Sequence, residues 1–379
     1  MRHLVLGIAV LGGIASGIGP VADRPAAQTP AQTPGAPGRA GQSAPAAPGR
    51  VGGRGSGLAL GQPGPNTPAG KAPDQGLVPD AWPAHEGGLL KYRVQIRFGE
   101  EPDTMPDGFK FGRASAVTTD GAGNVYAFQR GPKADPVIVF DSAGKYLRSW
   151  GKGVFGTPHG IRIDKAGNVW CVDNGNQQVY KFTPDGTLLQ TWGTKGVIGT
   201  DDKTFGRPTD IAWDSRGNFY VSDGYGNSRV VKFDATGKYV TAWGTPGDGP
   251  SQFRVVHSIA IDSKDRIYVS DRENNRIQIF DVSGQLLKMW THLGATQGIF
   301  ITPRDEMWII THRNNTENIT YDTLAGQLMK IDLESGKVLG SMESPGHELT
   351  VTPSGDVYVA SLTGNIFKWS PMPNWPQKP

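Results

Sequence analysis

The stretch PHGIRIDKAGNVWCVDNGNQQVYKFTPDGTLLQTWG (Pro158–Gly193) is answered by PTDIAWDSRGNFYVSDGYGNSRVVKFDATGKYVTAWG (Pro208–Gly244). Each reads as an apolar strand, a short turn carrying Gly or Asp, a second strand, then a third and a fourth. Apolar and polar residues alternate along these strands (Ile161, Ile163; Val169, Cys171), which is the period of sheet and not of helix. With the first-turn Gly or Asp as register mark, copies fall at Gly123, Gly167, Gly217, Asp265, Asp305 and Gly355. A four-strand unit of this length is a propeller blade, and one blade alone cannot bury both of its faces. The fold class is therefore all-β, a six-bladed β-propeller.

The last copy, His347 to Trp369, has room for only three strands. The missing strand is expected at the other end of the body. KYRVQIRFG (Lys91–Gly99) matches KYLRSWG (Lys145–Gly151) and KYVTAWG (Lys238–Gly244), so the N-terminal strand should complete the sixth blade and leave no open edge. Trp150, Trp192, Trp243 and Trp290 recur at one strand position and read as packing between blades.

Outside the repeats the composition changes. Residues 1–81 contain no Phe, Tyr or Trp, so they cannot bury enough apolar area to offset the entropy of ordering them. Met1-Arg2-His3 precedes the apolar run Leu4–Gly19 in the order of a secretory signal. The expected organisation is a signal peptide over 1–22, a Pro/Ala/Gly-rich linker over 23–85 and the propeller over 86–372. The chain is then exported, secreted or periplasmic, and an uncleaved signal would be its one link to a membrane. A Gly-rich run, Gly52–Gly57, lies inside the linker without a preceding strand and is a poor phosphate cradle. A formal charge of +3 over 379 residues argues against a nucleic-acid partner. The single cysteine, Cys171, excludes a disulfide scaffold and reads as a buried mid-strand thiol. A monomer is expected.

The histidines sort by register. Eight residues before each mark stand Ser115, His159, Thr209, His257, Gln297 and His347. Three histidines thus share one slot, in blades two, four and six, about 120° apart around a six-fold ring. The slot opens the first strand, which lines the axial channel of a propeller. The imidazoles should converge as a tripod with an open fourth position, the arrangement of catalytic zinc. The plainer alternative is three channel histidines, each bonded to a carbonyl or water. His292 and His312 lie off register and read as surface.

Seven residues after the marks, near the same rim, come Arg130, Asn174, Gly224, Arg272, His312 and Leu362, with Tyr225 following Gly224. Guanidinium groups beside a metal suit an anionic substrate. A tyrosine near that positive charge has its phenolate favoured and suits a general base. Asp164, Asp214 and Asp262 precede hairpin turns, where Asp accepts backbone hydrogen bonds. Asp173, Asp223 and Asp271 read as blade-to-blade acceptors.

With PHGIRIDKAGN, SDGYGNSR, SDRENNRIQ and the FQRG of Phe128–Gly131 occurring in order, the body resembles peptidyl-α-hydroxyglycine α-amidating lyase, a propeller of NHL-type repeats. The resemblance covers most of residues 86–370. It implies His159, His257 and His347 as zinc ligands, Tyr225 as catalytic tyrosine, and Arg130 and Arg272 as active-site arginines. It also implies a structural calcium held by the carbonyls of Val117 and Ile161 and by Glu348, where the family has Asp. Two further departures are Pro345, in place of an active-site Met, and Gly226, in place of a disulfide half-cystine. A copper monooxygenase domain is not expected beside the lyase.

The leading expectation is a zinc-dependent lyase that cleaves the C–N bond of an N-acyl- or peptidyl-α-hydroxyglycine to an amide and glyoxylate. Its substrate would be a small anionic carbinolamide or a peptide C-terminus. The alternatives are a non-catalytic exported NHL-propeller scaffold, and a metal-dependent, lactonase-like hydrolase on the same fold.

Overall fold

The computed structural model describes residues 90–99, 105–311 and 326–372. They form six four-stranded antiparallel sheets, arranged as the blades of a six-bladed β-propeller. The blades span 114–150, 158–192, 210–243, 256–290, 296–344 and 348–371, the last completed by Tyr92–Gln95. Each of the first five runs in chain order from its innermost strand outward. In the sixth the order is Tyr92–Gln95, Asn365–Pro371, Val357–Ser361, Glu348–Val351, so the N-terminal strand is the outer edge. Its register pairs Tyr92 with Pro371 and Val94 with Trp369, as the KYRVQIRFG match requires.

The physical reason for the ring lies in the gaps. Six apolar clusters occupy them, one between each pair of neighbouring blades. In one, Phe128, Val137, Val139 and Trp150 of blade 1 meet Ile161, Val169 and Cys171 of blade 2. Both faces of every blade are covered, and the apolar area removed from water is the main favourable contribution to folding. Trp150 closes the outer part of this gap against the turn of blade 2, where a Cβ at Gly186 would stand 2.6 Å from the indole. The same contact recurs for Trp192, Trp243 and Trp290 against Gly237, Gly284 and Gly336. Cys171 is fully buried, and burial pushes its thiol well above the usual range.

Two details aim side chains at the axis. The register of the innermost pair shifts between Pro158 and Gly160, between Val256 and Ile259, between Ala114 and Ala116, and between Thr296 and Gly298. The slot residues His159, His257, Ser115 and Gln297 therefore sit in β-bulges, which re-aim side chains next to functional sites. Asp173, Asp223 and Asp271 are buried and accept from the segment leading into their own blade. Gly156 N and Thr157 N donate to Asp173, Gly206 N to Asp223, and Arg254 N to Asp271.

Candidate metal centre and catalytic rim

The six slot residues interlock around the axis. His159 Nδ1 donates to the carbonyl of Thr209 (2.8 Å), His257 Nδ1 to that of Gln297 (2.6 Å) and His347 Nδ1 to that of Ser115 (2.7 Å). Each histidine is thus fixed by the slot residue of the following blade. Donation from Nδ1 sets the tautomer and leaves the Nε2 lone pair as the ligand atom. The three ring centroids stand 5.0, 4.7 and 4.8 Å apart, a nearly symmetric tripod. All three rings are buried, and their ligand atoms lie within 4.8 Å of one another. Burial, with His347 and Arg130 nearby, holds the His159 imidazole well below the usual histidine range. Burial, with Arg272 and His347, does the same for His257. Neutral imidazoles are the form that ligates a metal.

Tyr225 joins this point from blade 3. Its Oη lies 3.0 Å from His257 Nε2 and 3.4 Å from His159 Nε2. Gly224 allows the approach, because a Cβ there would stand 1.8 Å from the Val256 carbonyl oxygen of the next blade. The half-cystine position implied by resemblance, Gly226, is held by backbone alone: Gly226 N donates to Gly206 O (2.7 Å), and Tyr225 N to Arg207 O (3.3 Å). Arg272 is buried, donates from Nη1 to Tyr225 Oη (3.1 Å), and is paired with Glu273 (2.8 Å). Arg130 donates from Nε to the carbonyl of Pro158 (2.6 Å), beside His159.

The structure therefore brings His159, His257, His347, Tyr225, Arg272 and Arg130 to one end of the channel. His292 stands apart, bonded to the Gly336 carbonyl (2.8 Å). His312 lies outside the described residues, as do residues 1–89 with the signal and linker.

Two arginines carry roles that sequence counting did not assign. Arg207, two residues before the slot of blade 3, lays its guanidinium 5.2 Å from the centre of the Tyr225 ring and donates to Asn174 Oδ1 (3.0 Å). Arg162, three residues past His159, is buried in the channel beside Glu348 and Asp210. Burial and the neighbouring Asp210 push the Glu348 carboxyl well above the usual range, against the pull of Arg162. The slot-plus-three residues of the other blades are Thr118, Ala212, Ala260, Phe300 and Thr350. A lone charge in that series was the available signal.

A six-bladed propeller with three buried imidazoles, a tyrosine and an arginine converging on its axis is a propeller with a candidate metal centre. A family model described as a 6-bladed beta-propeller matches residues 199–307. The probable peptidyl-alpha-hydroxyglycine alpha-amidating lyase of Caenorhabditis elegans is 30% identical, over 60% of this chain and 67% of its own length. NHL repeat-containing protein 3 of Homo sapiens is 30% identical over 72% of this chain and 82% of its own. The peptidylglycine alpha-amidating monooxygenase of Rattus norvegicus is 38% identical over 68% of this chain and 30% of its own. The chain spans about a third of the length of such monooxygenases. Among solved structures, virginiamycin B lyase from Staphylococcus aureus shares the fold, with a TM-score of 0.50 at 16% identity over 74% of this chain and 100% of that one. The chain belongs to the peptidyl-α-hydroxyglycine α-amidating lyase family of NHL-repeat propellers.

Proposed function

We propose that this protein is a zinc-dependent lyase that converts an N-acyl- or peptidyl-α-hydroxyglycine to the corresponding amide and glyoxylate. The observation that carries the reading is the meeting of three buried, Nδ1-anchored imidazoles with Tyr225 Oη and Arg272. His159, His257 and His347 would hold the ion, which when bound supplies Lewis-acid polarisation of substrate oxygens. Arg130 and Arg272 bind the substrate carboxylate, a planar anion that guanidinium groups match. Tyr225 takes the proton of the α-hydroxyl. The C–N bond then breaks, the hydroxyl-bearing carbon becomes the aldehyde carbon of glyoxylate, and the proton passes to the departing amide nitrogen. Arg272, donating to Oη, keeps that oxygen aimed at the transfer.

His257→Ala is expected to lose bound zinc and glyoxylate release together, with the fold retained. Elemental analysis and a glyoxylate assay on an α-hydroxyhippurate-like compound read the two. Full turnover in a metal-free preparation would overturn the reading. The match to NHL repeat-containing protein 3 favours one alternative, a non-catalytic scaffold. A scaffold has no reason to retain one zinc per chain through dialysis. A lactonase-like site would draw on carboxylate ligands, whereas the metal-capable cluster among the described residues is purely histidine. Export through residues 1–22 and a monomeric state complete the proposal.

A further inference from the structure

The calcium ligands implied by resemblance, the carbonyls of Val117 and Ile161 with Glu348, belong to a ring of equivalent positions two residues past each slot, plus one carboxylate. In this chain a cation of its own already stands there. Arg162 Nη2 lies 2.7 Å from Asp210 Oδ2, 3.1 Å from Glu348 Oε2 and 3.2 Å from the Ile299 carbonyl oxygen. Nη1 donates to the Leu349 carbonyl (3.1 Å) and Nε to Asp210 Oδ1 (3.0 Å). Ile299 and Leu349 occupy the same ring of positions as Val117 and Ile161, in blades 5 and 6. Asp210 also accepts from Ser258 Oγ (2.8 Å) of blade 4 and from Ile211 N (2.9 Å), so its oxygens are fully used. One guanidinium thus links blades 2, 3, 5 and 6 directly and blade 4 through Asp210. A Cβ at Gly298 would stand 2.8 Å from Glu348 Oε2, so glycine there makes room for the cluster.

These residues do not fit calcium. The ion takes six to eight oxygens at about 2.3–2.6 Å. With Asp210 saturated and Glu348 Oε2 on Arg162, the one unpartnered carboxylate oxygen is Glu348 Oε1, directly beside a guanidinium. A second cation there would meet like-charge repulsion in a poorly screened interior. We infer that the Arg162 guanidinium is a built-in axial cation that replaces a bound divalent ion, so that the propeller neither binds nor needs calcium. The cluster also forms a floor. A cavity of about 430 Å3 opens at the opposite mouth, lined by the far ends of the innermost strands, and Arg162 is part of its wall.

The test reads melting temperature and calcium content, which do not depend on turnover, so it can fail while the lyase reading stands, and the reverse. Wild-type protein passed through a calcium-containing buffer and desalted should carry well under one calcium per chain. Its Tm should be the same with and without millimolar calcium chloride. Arg162→Ser leaves two buried carboxylates without a cation and should lower Tm by about 10 °C, with calcium restoring much of the loss. Arg162→Lys, which keeps the charge but not the fork, should fall between. One calcium per wild-type chain, or a wild-type Tm that rises with calcium, would overturn the inference even if Arg162→Ser fails to fold. So would an Arg162→Ser protein that melts like wild type.

Discussion

Arg207 shows what a single residue contributes to the rim. It is a non-glycine residue at φ +62°, a left-handed conformation that costs of order 1–3 kcal/mol where the surroundings impose it. The imposition is visible: its backbone N donates to Gln177 Oε1 (2.5 Å) and its Nε to Asn174 Oδ1 (3.0 Å). What the strain secures is a second guanidinium over Tyr225, with Arg207 Cζ 5.2 Å and Arg272 Cζ 5.3 Å from the ring centre. Cation–π contacts of this kind contribute about 0.5–2 kcal/mol. On the function proposed above, Arg207 is a positioning residue, acting through the tyrosine and not on the metal. Arg207→Gly should relieve the backbone and raise stability by about 1 kcal/mol. The same change should lower kcat about tenfold, the equivalent of roughly 1.4 kcal/mol, at unchanged zinc content. Arg207→Ala should lose the activity without the gain in stability. Urea melts and steady-state assays of both variants separate strain from positioning, and an Arg207→Gly protein with wild-type kcat would remove Arg207 from the site.

At the scale of the element, a buried carboxylate ties the segment leading into a blade to that blade, and Asp271 is one case. It accepts from Arg254 N (2.9 Å), Asn274 Nδ2 (2.8 Å), Arg276 Nε (2.7 Å) and Gln278 Nε2 (3.2 Å). Arg276 in turn donates to the carbonyls of Asp248, Gly249 and Gln252, in the segment between blades 3 and 4. Removing the carboxylate strands a buried guanidinium, so Asp271→Ala should cost about 3–5 kcal/mol, measured by chemical denaturation. A loss below about 1 kcal/mol would mean the clamp is no stronger than a surface ion pair. The recurrence of Asp271 with Asp173 and Asp223 made a shared acceptor role legible, but they hold the segment leading into their own blade and not the neighbouring blade, as the sequence reading had it. The register marks were legible too: Asp265 and Asp305, at φ +60°, take the left-handed position held by Gly123, Gly167, Gly217 and Gly355. Their side chains do more than the pattern told, accepting from Ser215 and Ser263 of the preceding blade. Arg162 escaped for a physical reason. Alternation along its strand puts Ile161 and Ile163 in the gap toward blade 1, and a polar residue between them reads as solvent-facing. In a propeller both faces of a strand are covered, so that residue is buried and needs a counter-charge from another blade.

For the whole molecule, the tripod depends on closure. His159, His257 and His347 come from blades that are far apart in sequence, and only a closed ring brings them within 4.8 Å. Counting from the turn marks found them because each of these histidines stands eight residues before the left-handed residue of its blade's first turn. Closure itself rests on four residues, Tyr92–Gln95, paired to Asn365–Pro371, and on Phe98, fully buried between blades 6 and 1. Phe98 sets its ring edge-on to Tyr358 (5.0 Å) and Phe140 (6.0 Å), so one side chain touches both partners of the seam. The strand is further tied by Met372 N donating to Lys91 O (2.9 Å) and Leu90 N to Ser341 O (2.9 Å). A chain beginning at residue 86 should therefore melt in one transition and hold as much zinc as the full chain, measured side by side. A chain beginning at residue 100 loses the strand and Phe98, and exposes Asn365–Pro371 as an unpaired edge. It should elute as soluble aggregate in size-exclusion chromatography and retain little zinc. A synthetic peptide of residues 90–99 added during refolding should restore monomer and metal together, because strand addition supplies both the ladder and the seam residue. If the shortened chain stays monomeric with an unchanged Tm, the seam does not hold the ring, and the alignment of the histidines must come from the other five gaps alone.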